Sequence, residues 1–393
     1  MKILLIGGTG VLSRAVTSEA LKRGLTLTMI NRGNNPHLIP KEVQLLKVDV
    51  HDYKKVVSLL KGQKFDAVID FICFTEKEIE YSFNLFKDYV NQYIFISSCA
   101  VYNTAICTIC EEDSPKVLDV WSYSVDKVHC ENYLTDIAQK AKIPYTIIRP
   151  CVTYGNTRIP YGIMPPYGYH GTIIERIKHG KPVITWDGAK NRCNITRVED
   201  FAVGLVGLLG NAKAYNEAFN ICGEETPTWK EVLDALSKSI GLEIKTFDIT
   251  SQEYGKEIPE RKGEIVGGRA IDAINSNKKL KTVLPSFKQN LFLEEGIRTT
   301  VNHYTSHNYL YGMDYAFDAD ADRIIAKYAK MKGLSTKGMN IGFVDYLGKA
   351  SIHDKCNYIL NYHKDHFFMK ILIKGQRLSK RILQNARNPA RNK

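Results

Sequence analysis

The chain alternates two kinds of apolar pattern. Lys2-Ile-Leu-Leu-Ile-Gly7 is a short, near-continuous apolar run that ends in glycines, and Ala15-Val-Thr-Ser-Glu-Ala-Leu-Lys-Arg23 follows it with helical spacing. Apolar residues at successive positions fit a strand covered on both faces, whereas recurrence every three or four residues fits a helix with one buried stripe. The alternation continues through Leu25-Thr-Leu-Thr-Met-Ile-Asn31, Leu46-Lys-Val-Asp-Val50, Asp66-Ala-Val-Ile-Asp-Phe71, a helical stretch around 77 to 90, and Tyr93-Ile-Phe-Ile-Ser97-Ser98. Strands alternating with helices predict an α/β fold with a doubly wound parallel sheet.

Composition narrows the setting. A chain of 393 residues is long enough for two domains, or for one large domain with a lobe. Its 44% hydrophobic and 24% charged residues are ordinary for a soluble globular protein. No run reaches the roughly eighteen apolar residues of a membrane span. The first apolar run is too short for a signal peptide and leads straight into a glycine turn, which predicts a cytoplasmic protein. Nine scattered cysteines, an odd number, fit a reducing compartment better than a disulfide framework. Cys107-x-x-Cys110 has no second pair at zinc spacing, so no metal is expected.

The net charge of +12 invites a nucleic-acid partner, but its distribution argues against one: from His366 onward there are eight Lys or Arg and no Asp or Glu. Most of the excess sits in the tail. There, Phe367-Phe-Met-Lys-Ile-Leu-Ile-Lys374 and Arg377-Leu-Ser-Lys-Arg-Ile-Leu383 mix apolar and basic residues as an interfacial helix does. A basic extension packed on the body is the main expectation for this tail, and membrane-surface contact the secondary one. The acids of Ala316-Phe-Asp-Ala-Asp-Ala-Asp322 near a helix start point to capping and dipole compensation, since the ligand pattern of a calcium loop is absent.

Four stretches carry candidate chemistry. Gly7-Gly-Thr9-Gly10-Val11-Leu12-Ser13 lies between a strand and a helix, where glycines let the backbone approach a pyrophosphate and the helix N-terminus supplies N–H donors. The second strand ends in Asn31-Arg32 and not in an acid; an acid there would repel a 2′-phosphate, whereas Arg32 can pair with one, so NADP is at least as well supported as NAD. Tyr123 and Lys127 lie four residues apart near a helix start and share a face. A tyrosine has an ordinary pKa of about 10, and a nearby cation favours its phenolate. Ser98 lies at the end of a strand, where ligands of open α/β sheets sit.

Taken together, Gly-Gly-Thr-Gly10, Ser97-Ser98-x-x-Val-Tyr102, Tyr123-x-x-x-Lys127 and Ile148-Arg-Pro-Cys-Val-Thr-Tyr154-Gly155 resemble the extended short-chain dehydrogenase/reductases, the NAD(P)-dependent nucleotide-sugar epimerase/dehydratase family. The resemblance runs from residue 1 to about 300, through Gly180-Lys-Pro-Val-Ile-Thr-Trp-Asp-Gly188 and Thr196-Arg-Val-Glu-Asp200. It implies a Rossmann-type NAD(P)-binding domain over 1–165 with some later segments returning to it, a smaller α/β substrate lobe mainly over 166–330, and a C-terminal extension, basic and helical, over 331–393. It also implies a homodimer. The cofactor residues it assigns are Gly7, Thr9, Gly10, Val11, Leu12, Asn31, Arg32, Asp49, Val50, Phe71, Lys127 and Pro150.

By the same resemblance Tyr123 is the base that takes the proton of a sugar hydroxyl, Lys127 lowers its pKa and holds the nicotinamide ribose, and Ser98 hydrogen-bonds the reacting oxygen. Dehydratase relatives carry an acid pair directly after the catalytic serine or threonine; Cys99 and Ala100 stand there, so dehydration is disfavoured. Cys99 is also one position early for an epimerase cysteine and is expected to be packing. A nucleotide-sugar 4-epimerase is the leading expectation. An NADPH-dependent keto-sugar reductase is the alternative, followed by a dehydratase and an RNA-binding protein. For the nucleotide-diphosphate sugar, Tyr154, Arg192, Arg197 and Arg269 are the candidate contacts.

Overall fold

The computed structural model describes residues 1–117, 121–166, 168–307, 312–342, 345–348, 350–369 and 372. The apolar runs form strands β1 (Lys2–Ile6), β2 (Thr26–Asn31), β3 (Gln44–Lys47), β4 (Ala67–Asp70), β5 (Tyr93–Ile96) and β6 (Tyr145–Pro150). Helices α1 (Val11–Lys22), α2 (Tyr53–Leu60), α3 (Glu76–Phe86) and α4 (Ser122–Ala141) intervene. The strand Glu217–Ile221 completes a seven-stranded parallel sheet in which β6, β5, β4, β1, β2 and β3 follow it in order. The order reverses at β1, between β4 and β2, which makes that strand's carboxyl end the topological switch point.

Alternation along β1 feeds two cores. Ile3 and Leu5 pack with Val16 and Ala20 of α1 and with Phe201 and Leu205 on one face. Leu4 and Ile6 pack with Val56 of α2, Phe83 and Phe86 of α3 and Leu134 of α4 on the other. Side chains two apart share a face of a strand, so a continuous apolar run is what a sheet covered on both sides requires.

The chain divides into two compact units. Met1–Gly162, Ala189–Ser239 and Ser251–His303 make the first; Ile163–Gly188, Ile240–Thr250 and Tyr304–Lys393 make the second. Most of the stretch between 189 and 303, which the sequence assigns mainly to the substrate lobe, thus belongs with the sheet. The cause is the strand Glu217–Ile221, which pairs with β6 and draws its flanking segments along.

In the second unit the strand Val183–Trp186 pairs in parallel with Thr246–Ile249. The helix Tyr315–Met331 begins on Asp314, whose carboxylate accepts from Ala316 N and Phe317 N at 3.0 Å each. Asp318 and Asp322 do more than complement a dipole. Both are buried against Arg176 and Lys181, with Lys181 Nζ 3.0 Å from Asp318 and 2.5 Å from Asp322. The helix Ile352–Tyr362 docks through Tyr358, whose hydroxyl donates to Asp322 at 2.5 Å. Part of the extension is therefore an integral piece of this unit. Residues 377–383 of the basic tail lie outside the described residues.

Among the described residues no helix is long and apolar enough to cross a membrane, and no group of three or more His, Cys, Asp or Glu could hold a metal ion.

Candidate active site

The glycine turn opens the N-terminus of α1. Gly7 and Gly8 have φ of +102° and +106°, in the region that favours glycine. A side chain on Gly8 would also overlap Met29. Ser13, in the position of a third glycine, is 2% exposed and its hydroxyl accepts from Gly10 N at 2.9 Å. The first intrahelical bond runs from Arg14 N to Gly10 O at 3.1 Å, so Val11 and Leu12 present their N–H groups at the helix start. A close backbone approach with helix-terminal donors fits a dinucleotide pyrophosphate.

The end of β2 divides its two candidate residues. Asn31 Nδ2 donates to Gly7 O at 2.8 Å and its Oδ1 accepts from Gly33 N at 2.8 Å, so the side chain ties the glycine turn to the β2 turn. Arg32 is exposed and makes no hydrogen bond or ion pair among the described residues. Asp49 is exposed and accepts from His51 N at 3.0 Å, while Val50 is buried and its carbonyl accepts from the Tyr81 hydroxyl at 2.9 Å. Phe71 is half-buried against the core beside β1, and Pro150 closes β6.

Ser98, Tyr123 and Lys127 converge at the carboxyl end of β5. Ser98 caps the short turn Cys99–Val101, its Oγ accepting from Ala100 N at 3.1 Å, and lies close enough to the Tyr123 phenol to favour its ionised form. Tyr123 is in the first turn of α4, beside Trp121 with ring centroids 5.0 Å apart. The indole in turn packs on Gly263 and Gly268, where a side chain would overlap it. Lys127, one turn on, is 2% exposed and donates from Nζ to Cys73 O at 2.6 Å and Ile96 O at 2.8 Å. Nζ lies 6.0 Å from the Tyr123 ring centroid and 4.7 Å from those of Phe74 and Phe95.

Burial sets the direction of both titrations. It pushes the Tyr123 phenol up, against the neighbouring Ser98 hydroxyl and the charges of Arg158 and Arg269, which pull it down. It pushes the Lys127 ammonium down, against Asp70 and Glu131 among other groups. The cations that offset the burial of Tyr123 most are thus two arginines, and not Lys127 as the helical spacing suggests. Arg158 had no sequence signal, since it sits in an irregular segment after Gly155.

A second polar group underlies the site. Ser97 Oγ donates to Glu131 Oε1 at 2.6 Å, Arg149 clamps both Glu131 oxygens at 2.9 and 2.7 Å, and Lys116 Nζ lies 2.9 Å from Oε2. Glu131 is fully buried, which would raise its pKa, but these partners prevail and hold it below the usual carboxylate range. It is the residue that spacing could have found, four after Lys127 and on the same helical face. Cys99 is 6% exposed and its thiol donates to Arg149 O at 3.2 Å, a packing position.

The four substrate candidates separate. Tyr154 is 1% exposed under the Arg197 guanidinium. Arg197, itself buried, gives its N–H groups to Glu199, Asn156, Gly296 O and Thr300, which leaves none for a diphosphate. Both therefore hold the fold. Arg192 is exposed, with Nε donating to Thr226 O at 2.8 Å. Arg269 lies close enough to act on the charge of Tyr123, beside Trp229 and 3.3 Å from Glu264.

Comparison with known proteins agrees with this geometry. Residues 3–222 match the model of the NAD dependent epimerase/dehydratase family. The chain is 29% identical over 273 residues to the chloroplast stem-loop binding protein of 41 kDa b of Arabidopsis thaliana, covering 65% of this chain and 68% of that protein. It is 18% identical over 261 residues to 2′-dehydrokanamycin reductase of Streptomyces kanamyceticus, covering 66% and 72%. The fold is similar to that of UDP-glucuronic acid 4-epimerase of Bacillus cereus, solved with UDP-glucuronic acid and NAD, at a TM-score of 0.63 and 18% identity over 78% of this chain and 99% of that one. A switch-point glycine turn, a converging serine, tyrosine and lysine, and a family match over more than half the chain lead to one conclusion: this protein belongs to the NAD dependent epimerase/dehydratase family, within the extended short-chain dehydrogenase/reductases.

Proposed function

We propose that the protein is an NAD(P)-dependent nucleotide-sugar 4-epimerase in which Tyr123, Ser98 and Lys127 carry the chemistry. The observation that supports this reading is the convergence of Ser98, Tyr123 and Lys127 at the carboxyl end of β5, with no carboxylate at positions 99 and 100. Gly7, Thr9, Gly10, Val11 and Leu12 would hold the pyrophosphate. When bound, the nicotinamide supplies a hydride acceptor and donor. The chain's own part is to move one proton. Tyr123 takes it from the sugar hydroxyl and returns it to the same oxygen after the keto-sugar has turned, and Ser98 steadies that oxygen while it carries negative charge. Lys127, anchored on two backbone carbonyls, has a third N–H for the nicotinamide ribose. Such a cycle needs no further acid or base.

A specific observation favours a second reading. Arg32 is an exposed cation without a partner among the described residues, at the strand end that faces the adenosine ribose in this fold. It suits a 2′-phosphate, hence NADPH and a keto-sugar reductase. Incubation with a panel of nucleotide sugars, read by NMR, separates the two. The epimerase reading expects interconversion of C4 epimers without added cofactor or with catalytic NAD(P). Stoichiometric consumption of NADPH with no epimer formed would replace it by the reductase. Tyr123→Phe is expected to lower turnover by about 10²–10⁴-fold with cofactor still bound; an unchanged rate would remove the tyrosine mechanism.

A further inference from the structure

We propose that Cys107 and Cys110 form a redox-responsive modification site, which closes reversibly into a disulfide by exchange with a small disulfide such as oxidised glutathione. The proposal is independent of the chemistry at Tyr123. The loop 103–116 leaves the Ser98 turn and returns to it: Asn103 N donates to Pro115 O and Val117 N to Val101 O, both at 2.8 Å. Within this loop the chain bends at Thr108 and Ile109. Both cysteines, one on either side of the bend, pack in the small cluster around Val101, Tyr102 and Val128. They are close enough that Cys107 acts on the titration of Cys110, second only to burial. Two residues across a bend are a spacer that a disulfide can span.

The two thiols differ in what reaches them. Cys110 is buried, and its backbone is fixed, its N–H donating to Ile274 O at 2.8 Å and its carbonyl accepting from Ser276 N at 2.9 Å. Cys107 is half-buried and lies between the exposed Ile106 and Ile109. A dissolved oxidant therefore meets Cys107 first. Its thiolate attacks one sulfur of oxidised glutathione, forms a mixed disulfide and releases one glutathione thiolate. The Cys110 sulfur then attacks Cys107 Sγ, and its proton goes to the second glutathione as that leaves. Each cysteine gives up one electron, and one oxidised glutathione becomes two thiols. Cys99 and Cys222, by contrast, are buried and donate to the carbonyls of Arg149 and Asn275, while Cys356 is exposed in the other unit. All nine cysteines are free. A disulfide that forms against such a background is of the transient, redox-sensing kind.

Incubation of the full chain with oxidised glutathione over hours, at mildly alkaline pH, tests this by peptide mass and fragmentation. The chain carries Cys356→Ser, which removes the exposed thiol outside the pair. The expected product is a peptide lighter by two thiol hydrogens, with the new bond between Cys107 and Cys110, which dithiothreitol reverses. Cys110→Ser in the same background is expected to hold glutathione on Cys107 as a stable mixed disulfide. Cys107→Ser is expected to lose the modification with its melting temperature kept, since the side chain is only half-buried and keeps nearly the same shape. Both thiols left free in the parent, glutathione retained on its Cys107, a bond to a different cysteine, or a product that dithiothreitol does not reverse would each overturn the proposal.

Discussion

Each unit of this protein contains a buried group of charges, and the two are built on different accounts. In the sheet unit one carboxylate, Glu131, faces two cations, Arg149 and Lys116. In the other unit two carboxylates, Asp318 and Asp322, face two cations, Arg176 and Lys181. The balanced group closes on itself: Tyr358 and Gly342 N also bond Asp322, and Arg176 reaches Pro182 O. The unbalanced one is open toward chemistry, because Ser97 precedes Ser98, Arg149 precedes Pro150, and Glu131 shares α4 with Tyr123 and Lys127. Buried charges cost several kcal/mol each to desolvate and are tolerated only when paired and hydrogen-bonded. The balanced group secures a fold; the unbalanced one also underlies the segments that carry Ser98, Tyr123 and Lys127.

Removing one member from each group sharpens this distinction. Asp322→Ala leaves Asp318 as the one carboxylate against the two buried cations Arg176 and Lys181, and is expected to destabilise by about 3–5 kcal/mol, read by chemical unfolding, with cofactor affinity unchanged. A parallel fall in cofactor affinity would break the separation of roles. Glu131→Gln keeps its hydrogen-bonding shape but removes the buried countercharge that Arg149 and Lys116 share. It should cost somewhat less, about 2–4 kcal/mol, and lower Tyr123-dependent turnover as well. Turnover equal to that of the parent would show Glu131 to be scaffold alone.

The same residue gives a pH signature. Glu131 is held below its ordinary value of 4.5 in the folded state, so its contribution is complete above that value and is lost as pH falls through the folded one. The stability gap between the parent and Glu131→Gln is therefore expected to shrink on acidification below about 4.5, measured as melting temperature against pH. The smallest effect is expected at the helix caps. Thr75 caps α3 in one unit, and Ser351 Oγ accepts from Asp354 N at 3.1 Å in the other. Replacing either by Ala should cost about 1 kcal/mol, with no change in turnover from Thr75→Ala.

How much of this was legible depended on the range of the interaction. The strands from β1 to β5, the glycine turn and the pairing of Tyr123 with Lys127 follow from spacing within a few residues, where pattern and geometry are nearly the same thing. The boundary of the second lobe was not legible, because it turns on Glu217–Ile221 pairing with β6, some seventy residues earlier in the chain. Nor were the arginines. Arg149, Arg158, Arg176, Arg197 and Arg269 look alike in the sequence, yet one clamps Glu131, two act on Tyr123, one binds buried aspartates and one is used up above Tyr154.

The sequence by itself determined the local frame: buried parallel strands, a glycine turn between strand and helix, and a tyrosine and lysine one helical turn apart. Tertiary structure decided the electrostatics laid over that frame. It placed Arg158 and Arg269 near Tyr123, turned Lys127 onto two backbone carbonyls, and gave Asp318 and Asp322 buried partners in place of solvent. Local backbone preference acts over a few bonds and is written in neighbouring residues. The state of a charge depends on which distant groups share its burial, and only the folded chain fixes those.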